Sequence, residues 1–498
     1  MSGISETHKS YDKRRFSWRQ TRDCVEGPDA VKRAQEVYLP MPSAMLDIPG
    51  ENASASTVPS SNSVLAADSV VDYQRQYLPW WHSNPAYRAY LQRARFPDLV
   101  ANTLKGLIGI ATKTLPQCKL PTKLEYLKET ITPETFNLNH LYGTVISEIL
   151  TVGKICLVVD VNDAGEFFVA IYTAESNINW EYKTIKGVRK LVRCVFYTGR
   201  NEEDKDTHLE YRLKQKEDGT GGIVESINYV DGEEDEVLVP SYKGKTLESI
   251  PVFMIGSIDN TANPDIIPLY GLTDIALTIY RENADLYQAH FLTCNPTLFI
   301  MGINTEETPR VVGASVTIGL RNPDAKAMYP STDTTALDHI RLCISDLFKE
   351  AVQYGSSFFG ESKQKESGEA LRLRQSANGA NLVHMINLAS IGIEMALGFI
   401  VEWSGGSAEE AEFEGNTEFA EVQMSAQDLT ALVTSWTNGA IDHDTLLDNM
   451  RDANIVSEEE TNQEIKTKIN SESPMVDDAY DDSDDSDADD DDEDDDAE

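Results

Sequence analysis

The chain has 498 residues, more than the roughly 250–300 at which a single hydrophobic core stops growing, and its 41% apolar share excludes a largely disordered polymer. Its 43 basic residues stand against 83 acidic ones, a formal net charge of −40. A body this negative repels phosphate, which disfavours a tight grip along a DNA groove and stays compatible with DNA passing close by.

In chain order, the opening stretch MSGISETHKSYDKRRF lacks an apolar run, so no signal peptide is expected. Residues 8–40 predict a helix and a turn with Trp18 and a basic cluster (Lys13, Arg14, Arg15, Arg19, Arg22). That cluster is expected either to form a solvated face or to pair with the carboxylates of a neighbouring subunit. Residues 43–72 are rich in Ser, Ala, Asn and Pro without periodicity and read as a mobile loop. Helical spacing over 85–113 is broken at Pro97, and a further helix fits Thr135 to Val152. Ile155 to Ile171 reads as strand, Asn-Asp-Ala-Gly turn and strand. More β signals follow at Leu191–Thr198, His208–Lys214, Gly222–Tyr229 and Val237–Pro240, separated by charged loops such as Arg200–Thr207 and Asp231–Glu236. This α+β region ends at the Pro-marked stretch Ile250–Pro268.

A helical array follows. Leu269, Leu272, Ile275, Ile279, Leu286 and Phe291 keep helical spacing up to the stop at Cys294-Asn-Pro296. Residues 297–330 predict a compact insert of short β-prone pieces and turns. Leu337, Ile340, Ile344, Leu347 and Ala351 form the stripe of a second helix, from Ala336 to Tyr354. A Gly/Ser loop, Gly355–Gly368, leads to Ser367 as an expected N-cap and a helix running to about Trp403, closed by Gly405-Gly406. Its segment LVHMINLASIGIEMALGFIVEW (residues 382–403) is about as long as a membrane span. The polar His384, Asn387, Glu394 and Glu402 favour a buried rod instead, covered on several sides and in part by other copies. A short β-like stretch (Phe413–Val422) precedes helices starting at Ser425, Asp442 and the capping box Ser457–Glu460. Residues 471–498 carry 17 acids and no Lys or Arg, which leaves −23 on the first 470 residues. No core can form from that run, and disorder is expected.

No catalytic constellation is legible. Eight dispersed histidines show no HExxH, and GxSxG, GxxxxGK[ST] and a strand-linked GxGxxG are missing. Six cysteines scattered singly suggest reduced thiols and no disulfide framework. Asp160-Val-Asn-Asp-Ala-Gly165 looks like a calcium loop, but Ala164 and Ile171 stand where ligands are required, so a hairpin turn is expected. No cofactor and no metal site is predicted, and an enzyme is not expected. Two alternatives remain: a nucleic-acid enzyme with dispersed carboxylate ligands for metal, and a membrane-associated protein using residues 382–403.

The order of elements, together with RRFSWRQTRDCVEGPDAVKRAQEVYLP, YRAYLQRARFPDLVANTLKGLIG, ESGEALRLRQSANGANLVHMINLASIGIEMAL and NTEFAEVQMSAQDLTALVTSWTNGAIDHDTLLDNM, resembles the portal proteins of tailed bacteriophages over most of residues 11–470. The resemblance implies a ring, usually of twelve copies, at one capsid vertex of the virion, built from chains made in the host cytoplasm. It implies an N-terminal helix and loop (1–84), an α+β wing (85–268), stem helices (269–294 and 336–354) and a clip (295–335). A tunnel loop (355–368), a long wing helix with a β stretch (369–424), a helical crown (425–470) and the acidic tail (471–498) complete the layout. Implied partners are the terminase large subunit, head–tail adaptor and tail proteins, major capsid and scaffolding proteins, and double-stranded DNA passing non-specifically through the channel. Candidate channel residues are Ser356, Ser357, Lys363, Gln364 and Lys365. Candidate docking residues on the clip are Arg310, Arg321, Asn322, Asp324 and Lys326.

Overall fold

The computed structural model describes residues 3–42, 85–185, 187–215, 222–294, 299–301, 324, 326–328, 335–359, 368–417, 426–452 and 461–472. They divide into two units, residues 1–417 and 418–498. The fold class is α+β, with helices and antiparallel sheets largely segregated along the chain.

The first unit opens with α1 (Lys9–Asp12), α2 (Arg15–Glu26) and α3 (Pro28–Arg33). Trp18, Thr21 and Cys24 recur every three residues and give α2 one buried face. Pro97 separates α4 (Pro85–Arg93) from α5 (Leu99–Ala111). A short strand β1 (Gln117–Lys119) precedes α6 (Leu138–Val152), which Asn137 caps by accepting from His140 N at 2.9 Å. Helix α6 ends at Gly153 with φ +78°, where a Cβ would lie 2.6 Å from the Ile266 carbonyl oxygen. Only glycine meets both demands. Arg22 on α2 donates to Glu148 of α6 at 2.6 Å and also to Glu175, while Arg19 pairs with Asp23 at 3.6 Å. These two arginines pair with carboxylates of their own chain, Arg22 with Glu148 on α6, which packs against α2, and Arg19 with Asp23 one turn along α2 itself.

Strands β2 (Lys154–Val161) and β3 (Phe167–Thr173) form the expected hairpin, with Asn162 Oδ1 accepting from Glu166 N and Gly165 at φ +80°. The calcium-like sequence is therefore a turn. A five-stranded antiparallel meander follows in the order β4 (Asn177–Ile185), β5 (Val188–Arg200), β6 (Asp206–Gln215), β7 (Gly222–Val230) and β8 (Glu233–Leu238). After the two-residue strands β9 (Ser241–Tyr242) and β10 (Lys245–Thr246), β11 (Val252–Gly256) returns to β2 and makes a three-stranded sheet β11-β2-β3. Residues 154–159 of β2 are all buried, as expected of a central strand covered on both faces.

Three strand assignments differ from the sequence pattern. β4 carries an alternation of Ile178, Trp180 and Tyr182 that the expected strands do not include. β11 lies inside the Pro-marked stretch Ile250–Pro268, where no strand is expected. The acidic run Glu233–Glu236 is strand, not loop, because backbone pairing to β7 outweighs its poor β propensity.

The array comprises α7 (Tyr270–Cys294), α8 (Thr335–Phe359) and α9 (Gly368–Ser404). Between α7 and α8 lie the paired strands β12 (Phe299–Met301) and β13 (Lys326–Met328), and after α9 comes β14 (Glu412–Glu414), which pairs with β1. The second unit contains α10 (Ala426–Thr437), α11 (His443–Asp452) and α12 (Asn462–Glu472). Asp442 caps α11 through Thr445 N at 3.1 Å. The box expected at Ser457–Glu460 lies outside the described residues. Thr461 and Glu464 make the reciprocal bonds before α12, Thr461 N to Glu464 Oε2 at 2.9 Å and Glu464 N to Thr461 Oγ1 at 3.4 Å.

Candidate functional site: the paired helices, their strand pair and the long helix

Each of α7 and α8 has 25 residues, a rod of about 37 Å at about 1.5 Å per residue. Tyr354, near the end of α8, donates its hydroxyl to the Pro268 carbonyl at 2.9 Å, just before α7 starts. A Cβ on Gly271 would lie 2.6 Å from the Tyr354 ring. The two helices are therefore antiparallel, and their far ends, Cys294 and Thr335, bracket the strand pair. The seam on α8 repeats every seven residues, with Leu337, Ile344 and Ala351 buried and Ile340, Leu347 and Tyr354 half-buried. That is the spacing of helices packed along their length.

The first half of α7 is embedded in the body, with Leu272, Ala276, Leu277, Ile279, Tyr280 and Ala284 almost inaccessible. Arg281 Nε donates to the Tyr38 carbonyl at 2.9 Å, Tyr90 Oη to Asp285 at 2.6 Å, and Arg93 lies 4.2 Å above the Phe291 ring. Beyond Ala284 the contacts thin out. Phe291, Leu292, Leu342, Met301 and Met328 all stay exposed toward the strand-pair end. On the side of α8 away from the seam, Phe348 and Val352 are exposed as well.

Helix α9 has 37 residues, about 55 Å. Leu382, Ile386, Ala389, Ile393, Ala396, Leu397, Ile400 and Val401 are buried against β11, β2, α6 and β14 of the same chain. Gly392 lets the helix touch the sheet, since a Cβ there would lie 2.6 Å from Ile255 Cδ1. Over residues 380–404, the buried face of this apolar helix is therefore covered by its own chain. Ile391 and Met395 are the large apolar residues of the helix left exposed among the described ones. Ala380–Ser404 is long and apolar enough to cross a bilayer, and here it is a packed core helix.

Of the channel candidates, Ser356 and Ser357 fall within α8, which continues to Phe359 and shortens the loop expected from Gly355. Lys363, Gln364 and Lys365 lie outside the described residues, as do the N-cap candidate Ser367 and the clip candidates Arg310, Arg321 and Asn322. Asp324 is an exposed turn residue, and Lys326 is the exposed first residue of β13. These two lie close in sequence at the strand-pair end; the rest are not brought together in the described part.

Two polar clusters went unread in the sequence. Glu210, fully buried on β6, accepts from Arg193, from Arg212 at 2.6 Å and from Tyr229 Oη at 2.7 Å. Burial pushes its carboxyl up, yet the donors outweigh it and hold it below the usual range. Lys154, only 1% exposed, donates to the Ala262 carbonyl and lies 4.5 Å above Trp180. Burial lowers its amine. Alternation along a strand would have placed Glu210 beside Arg212, but nothing in the sequence brings Arg193 to them. Both clusters are held within the sheets, and no group of three or more metal-ligating side chains occurs among the described residues.

A family described as a domain of unknown function, DUF4055, matches residues 268–404, from the residue that Tyr354 bonds to the last residue of α9, about a quarter of the chain. No curated protein matches. Among solved structures, the chain is similar to one in the virion of a native gene transfer agent particle (10% identity, TM-score 0.35, covering 73% of this chain and 92% of that one). It is also similar to one in the neck of the empty particle computed with C6 symmetry (10% identity, TM-score 0.34, 70% and 88%). A third, in the neck of the native particle computed with C12 symmetry, has 12% identity, a TM-score of 0.31 and the same coverage.

Proposed function

We propose that the chain is a structural subunit that assembles with copies of itself into a ring around an axial channel, serving as the portal of a phage-like particle. The observation that carries this reading is the antiparallel α7–α8 pair. It is anchored at one end in an acidic α+β body, carries a strand pair at the other, and leads back through α9 into the core. The sequence resemblance supplies the roles. α7 and α8 are the stem, residues 295–335 the clip that docks the terminase large subunit and later the head–tail adaptor, and the segment around 355–368 the tunnel loop. The helices of the second unit are the crown, facing the capsid interior with its major capsid and scaffolding proteins.

Charge supports the channel. Twelve copies at −40 each sum to about −480, a conduit that a phosphate backbone does not stick to. Ser356 and Ser357 at the end of α8, with Lys363, Gln364 and Lys365 of the tunnel loop, touch the duplex weakly and without reading sequence. In this reading the protein catalyses nothing; it is made in the host cytoplasm and resides at one vertex of the virion. Native mass spectrometry of the purified chain tests it. A single closed oligomer near twelve subunits is expected, and a strictly monomeric chain at every concentration and salt would contradict it.

A further inference from the structure

The two ends of the β4–β8 meander carry opposite charge, and each combines it with accessible apolar surface. At one corner, the β4–β5 hairpin sets Lys183 directly across from Lys190 and Thr184 across from Arg189. Like charges facing each other across a strand pair are destabilising by themselves. Lys183 has Glu181 at 3.3 Å and Arg189 lies 4.7 Å above the Tyr182 ring; among the described residues no ion pair to Arg189 or Lys190 is found. Beneath the hairpin is a cleft of about 330 Å³ with an apolar floor that includes Tyr182, Leu191, Leu213, Phe253, Met395 and Phe399. Met395 is one of the two large apolar residues of α9 that are exposed among the described ones.

The diagonally opposite corner is β8, the last strand of the sheet. Its outer edge pairs with no strand among the described residues. Glu233, Glu234, Asp235 and Glu236 are all exposed there, followed by Val237, Leu238 and Val239, which are 49%, 49% and 45% exposed. An edge of this kind invites another chain. Four consecutive acids forbid pairing with the same edge of a second copy, since that would set acids against acids. They favour a basic acceptor instead.

We propose that the β8 edge of one copy docks on the hairpin cleft of the next, its acids against Lys183, Arg189 and Lys190 and its Val237–Val239 run in the cleft. The occupant is a second copy because both halves of the contact lie on one chain, at different places. Such a head-to-tail contact propagates from copy to copy and closes into a ring when the rotation allows. It rests on the ring reading above and adds to it a surface in the body, away from the α7–α8 pair.

Two charge reversals test it, both at exposed positions and each checked for folding by circular dichroism. One is Arg189→Glu with Lys190→Glu, the other Asp235→Lys with Glu236→Lys. Each alone is expected to need at least about tenfold more protein to assemble in sedimentation velocity. Mixed in equal amounts they should assemble again, alternating around the ring, because each supplies the surface that the other has reversed. Unchanged assembly of either variant, or a mixture that stays as dissociated as its parts, overturns the contact while leaving the ring reading intact. A wild-type chain that never self-associates overturns both.

Discussion

Glu210 accepts from three donors while fully buried, and that makes it the side chain whose loss should be felt most locally. Removing one member of a buried ion pair costs about 3–5 kcal/mol because the partner charges stay behind. Glu210→Gln is therefore expected to lower the unfolding free energy by about 3 kcal/mol, measured by urea denaturation at pH 7. The pH dependence has a definite sign. A carboxyl held below its unfolded value of about 4.3 stabilises the fold above that pH, and the contribution is lost as pH falls through the folded value. The variant should thus show a shallower acid slope than the wild type, and equal slopes would contradict the assignment. His8 is a second titrating position. Its ring stacks on Trp180 at 4.2 Å, and its Nδ1 accepts from Ser10 N at 3.2 Å. Burial, then the Lys154 charge, push it below its usual value; Lys9 adds to this and Asp12 opposes it. The unfolded chain then takes the proton first, so stability should fall as pH drops from about 6.5. His8→Asn keeps an N-cap acceptor and should remove that slope in melting temperature between pH 7.5 and 5.5.

Elements explain why some glycines matter and others do not. Gly392→Ala forces α9 off β11 at Ile255, and overpacking of that kind costs about 1–3 kcal/mol, partly offset by about 1 kcal/mol of helix propensity. Gly109→Ala, on an α5 position where an added Cβ meets nothing within 4 Å, should instead raise stability by about 0.5–1 kcal/mol. Opposite shifts in melting temperature are the check. For the clip, replacing residues 295–335 with a short Gly/Ser linker should reduce ring yield more than it reduces subunit folding, since the clip packs between neighbours in the proposed ring. Ring yield unaffected by the deletion would count against that. The elements themselves were legible where periodicity is strong: Pro97 splits α4 from α5, Asn-Asp-Ala-Gly turns β2 into β3, and the Leu337–Tyr354 repeat marks α8. They were illegible where pairing overrides composition, as in the acidic β8, or where a strand returns from afar, as β11 does to β2. The candidate site was legible as an order of helices and insert. Which face of α9 is core was not, because an apolar helix reads the same whether its own sheet or a neighbour covers it.

At the scale of the whole molecule, the acidity distinguishes two ways in which charge acts. Spread over the body and the last 28 residues, it keeps surfaces apart and phosphate away. Concentrated on β8 opposite the basic hairpin, it gives direction, so that copies add head to tail and not face to face. Assembly should accordingly weaken as salt rises, since exposed pairs are screened within about 8 Å at 0.15 M ionic strength; sedimentation at low and high salt measures this. Ring formation is tested by single-particle imaging of the purified chain with rotational averaging and no imposed symmetry. Closed rings with an axial channel are expected, the α7–α8 pairs projecting together at one end. Compact monomers, two-fold dimers or open filaments in every condition would contradict it.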